Sequence, residues 1–448
     1  MLYINKDSVI PSVEKALGIL RAHTNTIGVP VDYDRLLEYY SVYKLKAGKA
    51  MTGLSKYLGL SPGFTANDFS RYLKSQGVVE GLLPTKGGAL SMSADSLKSA
   101  IDTGLYSKEL CDIMEIYGNA ASLNFRVSMF KDWITNHVPH PKFMTEDNHR
   151  IIFMKPTWSG LNTGRLQMSN PALFNVYKDL SDIQCTPKGW IFFESDSGQI
   201  EPRIIYSKYI ADEQIKALVK LYNDAYYGIL HYVTMDFSEI LSGRLDFTPM
   251  EITDELAKKR KHLKTLGNAV NYGSQKADTR DPLKAAYIER IGNHPKRVEW
   301  TKGIEQRVLA GETVFHSAFG TPIDITKGPG GDKYDKSSQA YVDHLIRCAI
   351  NNPIQGTAGD LMRYSVVEAN KLLTQKAPNS FIIKYTHDSG SFAVHENDYD
   401  KVIDDLKGVT EYQVDGWIPI YGDAQIGRRV RTDVVQRLYW WVCGWSSF

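Results

Sequence analysis

Three segments of this chain carry polar side chains at spacings that suit phosphate chemistry. In FFESDSGQIEPRI an apolar run delivers Asp196 to its end, and Gln199, Glu201 and Arg203 follow on a turn or helix start. In IIKYTHDSGSF, Asp388 falls at the tip of a predicted hairpin. If the two runs are neighbouring strands, their aspartates converge and offer hard oxygen ligands to Mg²⁺, as two-metal phosphoryl transfer requires. Each segment alone is weak evidence, because Asp after a strand is usually a turn residue. The third segment, RKHLKTLGNAVNYG, reads as a helix on which Arg260, Lys264, Asn268 and Tyr272 recur every four residues and share one face. Two cations, an amide and a ring in a row suit a nucleotide, with the cations on its triphosphate and the ring nearer the base. A lone basic helix is more often a solvated stripe, but this row ends in Tyr272-Gly273.

The surrounding pattern predicts the elements that must hold these residues. Residues of about 33–135 read as helices broken by polar turns, several opening on a capping-type Asp, Ser or Asn. IIFM and GWIFFESD read as strands. Helical pattern returns over 206–310, and the Gly-rich TVFHSAFGTP and KGPGGDK read as connections. A long helix is expected from Ser337 to about Lys376, followed by the SFIIKYTHDSGSFAVH strand pair. The order is helical, sheet, helical, sheet, with the two sheet regions combining into one platform.

Composition sets the outer bounds. A chain of 448 residues with 43% hydrophobic content has room for several cores, roughly three folding units by length. A net charge of +2 neither requires nor excludes a nucleic-acid partner, since a carboxylate-rich site can cancel a basic channel in the total. The four cysteines are scattered, without a CxxC pair, which argues against a zinc site and for a reducing, intracellular setting. The N-terminus resembles neither a signal nor a transit peptide. No apolar run approaches the ~20 residues that span a bilayer, so a soluble protein without a membrane partner is expected. The aromatic tail LYWWVCGWSSF is expected to pack on its own domain.

The three segments, in order, resemble the signature motifs of the DNA polymerase I-like (family A) polymerases: DSGQIEPR the first, RKHLKTLGNAVNYG the second, THDS the third. TGRLQMSNPALFNV and RCAINNPIQGTAGD resemble two further blocks of that family, and GVPVDYDRLL and SADSLKSAI extend the likeness towards the N-terminus. Five ordered blocks make a specific match. The resemblance implies an α+β, right-hand fold: a lead-in to the palm over 1–32, thumb over 33–135, palm with the first motif over 136–205, fingers over 206–335, and palm with the third motif and tail over 336–448.

It also implies roles. Asp196 and Asp388, with the Ser197 carbonyl, would hold two Mg²⁺ ions, with Mn²⁺ a substitute. Arg260 and Lys264 would grip the triphosphate of an incoming dNTP. Gln199, Glu201, Asn268, Tyr272, Gly273 and His387 would line the nucleotide and primer-end site, with Glu201 held by Tyr272 as the barrier to a ribose hydroxyl. Thr163, Arg165 and Asn170 from one block, with Arg347, Asn351 and Gln355 from the other, would touch primer-template DNA. A monomer is expected, with a separate exonuclease or processivity factor as a further partner, because only residues 1–32 precede the first thumb helix.

Four positions depart from the family pattern. Ser389 stands where Glu usually follows the third-motif Asp, Asn268 where an aromatic ring packs on the sugar, Ser197 where the first motif has Tyr, and Ser238 where a His commonly helps hold phosphates. His-Asp-Ser also occurs in phage-type single-subunit RNA polymerases, which makes such an enzyme the nearest rival. Glu201, TGRL and QGTAGD oppose it. A catalytically dead primer-template binder is the rival from another class, and the retained aspartates and cations oppose that.

Overall fold

The computed structural model describes residues 1–448 except 6, 8, 9, 86–88, 136–150, 170–182, 244, 245, 272–280, 328–333 and 428–448. Asn170, Tyr272, Gly273 and the aromatic tail therefore lie outside the described residues, as does the side chain of Asn268. The chain divides into two compact units.

One unit comprises Val29–Lys155 and Asn175–Pro187, as far as these are described. Its helices span Tyr33–Leu58, Ala66–Ser75, Ala94–Ile101 and Lys108–Thr135, as the sequence pattern predicts. Their starts follow from local chemistry. Asp32 accepts from the Arg35 amide, Thr65 and Asp68 form a reciprocal capping box, and Ser93 caps the third helix. Gly59, at φ 66°, ends the first in the left-handed conformation that favours glycine. Phe69, Leu73, Val78, Leu97, Met114 and Tyr117 form the core, with the Phe69 and Tyr117 rings stacked at 3.8 Å.

The other unit, Met1–Gly28, Pro156–Phe174 and Lys188–Phe448 where described, is built on a four-stranded antiparallel sheet. Its strands are β1 (Trp190–Ser197), β2 (Phe381–Tyr385), β3 (Ser389–His395) and β4 (Gly422–Gly427), in the spatial order β4-β1-β3-β2. Two distant stretches thus share one sheet, but Ile151–Met154, expected to join it, pairs instead with Val29–Asp32 in the other unit. Four helices matter for the site: α1 (Ile200–Ile204), α2 (Ala225–Thr234), α3 (Asp254–Asn271) and α4 (Gln339–Lys376). The α4 helix is capped by Ser338 and runs on past an internal Pro353. The segment TVFHSAFGTP, read as a connection, contains strand residues: Val314–His316 pairs with Pro322–Asp324.

Candidate active site

Burial alternates along β1. Ile191, Phe193, Ser195 and Ser197 face inward, whereas Glu194 and Asp196 lie on the open face. Ser195 and Ser197 can be interior because their hydroxyls find partners, Ser195 at Thr410 and Ser197 on the Thr410 carbonyl at 2.8 Å. Across the ladder Asp196 stands opposite Ser389 of β3 on one side and Asp423 of β4 on the other. The Ser197 amide donates to the Asp388 carbonyl at 2.6 Å, so a backbone bond joins the two motif segments at the level of their aspartates. The Thr386 hydroxyl donates to Asp388 Oδ1 at 3.2 Å and shares a 2.8 Å bond with Ser389.

These carboxylates are electrostatically crowded. Burial, then the charges of Asp388, Glu194 and Asp423, pushes the Asp196 carboxyl up to about 8, with Lys264 opposing. Its Oδ1 is buried without a hydrogen-bond partner. A buried orphan among like charges fits a cation. Among the described residues, no three His, Cys, Asp or Glu side chains gather to hold a metal ion. Such an ion would therefore complete its shell with main-chain, water or substrate oxygens, as Mg²⁺ commonly does.

The turn after β1 is held from three sides. Gln199 takes the left-handed conformation (φ 50°), and its Oε1 accepts from the Ala225 amide at 2.8 Å. Its side chain is thereby committed to the first amide of α2, one of that helix's unpaired donors. Arg203, fully buried, donates to the carbonyls of Gly198, Pro419 and Asn223, and burial lowers its guanidinium to about 10. Between these anchors Glu201 projects from α1 and is ion-paired with Arg165.

Arg165 is placed by a close-packed turn. Gly164 sits at φ 73° against α4, where a Cβ on Gly359 would come within 3.1 Å of the Gly164 carbonyl carbon and 3.2 Å of the Arg165 amide nitrogen. The buried Arg363 donates to the Gly164 carbonyl at 2.9 Å and to the Pro11 carbonyl at 3.0 Å, and pairs with the buried Asp360. Thr321 also donates to Asp360, at 2.8 Å. The TGR and QGTAGD segments are therefore two halves of one packed joint. Arg347, Asn351 and Gln355, four residues apart, share one face of α4. Thr163 Oγ1, Arg165 Nε and Asn351 Oδ1 are, like Asp196 Oδ1, buried without partners. Each such group costs about 1–3 kcal/mol unless a ligand fills it.

On α3, Arg260 is already engaged. It pairs with Asp224, and its guanidinium lies 5.5 Å from the centroid of the Tyr226 ring. Lys264 acts by charge on Asp196. His387 is exposed beside Asp388, and its imidazole is held below its usual range by desolvation and then by the Arg165 charge, with Asp388 opposing.

No protein-family model matches the chain. Two curated relatives are both DNA polymerase I. The enzyme of Aquifex aeolicus is 23% identical over 51% of this chain and 37% of its own length, and that of Rhizobium leguminosarum 25% identical over 64% and 27%. Among solved structures, the polymerase domain of Pol1 from M. smegmatis, in complex with a DNA primer-template and dNTP, superposes with a TM-score of 0.69. It shares 17% identity over 93% of this chain and 69% of that one. The chain is similar in sequence to DNA polymerase I enzymes. It spans about a quarter to a third of the length of these curated relatives, and its fold is the α+β, right-hand polymerase fold.

The sequence motifs single out Asp196, Asp388, Lys264, Thr163, Arg165 and Asn351, but not the residues that pair with or crowd them. Asp423, Asp224 and Arg363 carry no motif spacing that would single them out, and Asp360 is noticed only as the end of the QGTAGD block. Asp423 sits between a glycine and an alanine in YGDAQ, which reads as a turn. Its place beside Asp196 comes from the pairing of β4 with β1.

Proposed function

We propose that the chain is a template-directed DNA-dependent DNA polymerase that extends a primer 3′ end with dNTPs by two-metal phosphoryl transfer. The observation that carries this reading is the convergence of Asp196 and Asp388 at the ends of two paired strands, with a buried, unpartnered carboxylate oxygen on Asp196. In the reaction the primer 3′ oxygen bonds to the α-phosphorus of the dNTP, the bond to the bridging oxygen breaks, and pyrophosphate leaves with that electron pair. Asp196, Asp388 and the Ser197 carbonyl would hold two Mg²⁺ ions, or Mn²⁺, which stabilise the attacking and leaving oxygens.

The protein's own groups do the rest. Lys264 would set its charge against the leaving phosphates, and Arg260 would join it after exchanging Asp224 for the triphosphate. The orphaned polar atoms of Thr163, Arg165 and Asn351, with Arg347 and Gln355, would take acceptors and donors on primer-template DNA. Minor-groove base acceptors are common to every correct pair and suit such contacts. His387, kept neutral near the primer end, adds no second cation there. Residues 33–135 would serve as thumb, 206–335 as fingers, and the sheet segments as palm.

Metal-dependent extension of a primed DNA template tests the reading. Asp388→Asn should slow extension by at least about 10³-fold while primer-template affinity stays within a few-fold, because DNA binding rests on backbone contacts elsewhere. Ser389→Ala should cost far less. Near-normal extension by Asp388→Asn would remove the assignment, and a preference for rNTPs over dNTPs would favour the RNA polymerase alternative.

A further inference from the structure

We propose that Glu194 is a positioning residue of the metal site, taking a hydrogen bond from a water on an ion that Asp196 and Asp388 would hold. The inference rests on the two-metal reading of the site and deepens it. Two aspartates and a main-chain carbonyl do not fill the shell of Mg²⁺, which keeps several waters. Fixed acceptors beside the ligands orient such waters and raise metal affinity. Glu194 lies two residues before Asp196 on β1, on the same open face. Its Oε2 accepts from the Ser391 hydroxyl at 2.8 Å, which holds the carboxylate in place, and its charge acts on Asp196 second only to that of Asp388. The other polar groups at this level are worse placed: Ser389, directly opposite Asp196, shares its hydroxyl with Thr386, and Asp423 is exposed.

A second residue helps to hold Glu194. Lys384 of β2 stands directly across from Ser391, so Glu194, Ser391 and Lys384 form a row over three strands. Lys384 is only 8% exposed, and among the described residues Glu194 is the acid whose charge acts on it. An interior ammonium is costly without an opposing charge, so the cation draws the carboxylate towards the sheet as the hydroxyl does. The same row offers a competing explanation, that Glu194 is present only to neutralise Lys384.

The test is the dissociation constant for Mn²⁺, read from the free ion by electron paramagnetic resonance in the full chain without nucleotide, so that no triphosphate competes. Glu194→Gln should weaken binding about tenfold and Ser391→Ala about threefold, whereas Ser391→Ala added to Glu194→Gln should change it less than about twofold. Glu194→Gln also strands the Lys384 cation. The deciding variant therefore combines Glu194→Gln with Lys384→Met, which removes both charges and leaves the net charge unchanged. It should bind Mn²⁺ as weakly as Glu194→Gln while recovering the urea midpoint that Glu194→Gln loses. Wild-type Mn²⁺ affinity in that double variant would show that Glu194 serves only Lys384 and would overturn the inference. Asp388→Asn separates the two readings. If it loses Mn²⁺ while Glu194→Gln keeps it, this inference alone falls; if it too binds Mn²⁺ as the wild type does, the two-metal reading falls as well.

Discussion

The crowded carboxylate of Asp196 makes the metal-free protein sensitive to pH in a direction opposite to that of an ordinary salt-bridged acid. Its pKa rises from an unfolded value of about 4 to about 8 in the fold, through burial first and then Asp388, Glu194 and Asp423. The folded state therefore holds this proton more tightly than the unfolded chain does. The resulting stability is fully present below pH ~4 and is lost progressively as pH rises towards 8. Four units at ~1.4 kcal/mol each bound the loss at about 5 kcal/mol, and sharing of the proton among coupled carboxylates brings it to the order of 2–3 kcal/mol. Asp196→Asn removes the charge but keeps the shape. In EDTA the variant should match the wild type near pH 5 and exceed it by that margin at pH 8, read from urea denaturation. Mg²⁺ should raise the wild-type midpoint at pH 8 and leave that of the variant nearly unmoved. A stability gap that stays constant from pH 5 to 8, or a wild type more stable than Asp196→Asn at pH 8 without metal, would refute the reasoning.

Two further outcomes follow from the packing around the site. Asp224 both caps α2 and holds Arg260, and Asn is an equally good cap, so Asp224→Asn should free Arg260 and lower the KM for dNTP about threefold with little change in kcat; a raised KM would show that the pair serves Arg260 rather than restrains it. Gly359→Ala sets a Cβ 3.1 Å from the Gly164 carbonyl carbon, where backbone cannot give way, and should cost about 1–2 kcal/mol in urea denaturation despite the better helix propensity of alanine.

Much of the local structure was legible, for reasons that can be named. The helices of 33–135 announce themselves through amphipathic spacing and capping residues whose partners lie three positions away, as at Thr65 and Asp68. Asp196 and Asp388 were legible because each closes an apolar strand. Contacts that depend on chain distance were not. Tyr272, which the resemblance led to as a partner of Glu201, lies outside the described residues, and Arg165, which pairs with Glu201 from thirty-six residues upstream, carries no sequence signal for that contact. The hairpin at Val314–Asp324 looked like a connection because its apolar runs are short and broken by Ser317, Gly320 and Pro322, yet cross-strand pairing made it a sheet.

The buried charges expose the limit most clearly. Hydropathy assigns Arg203 and Arg363 to the surface, and both are interior because each meets fixed carbonyl oxygens: Arg203 at Gly198 and Pro419, Arg363 at Gly164 and Pro11. Those carbonyls are main-chain groups, identical for every residue type, so no pattern of side chains could have marked them. The two arginines do for the site what its motif residues cannot do for themselves. Arg203 fixes the turn that carries Glu201, and Arg363 fixes the turn that carries Arg165, so the two ends of that ion pair meet because two separate buried cations hold their backbones in place. A search confined to residues with chemistry finds the pair's members and misses what brings them together.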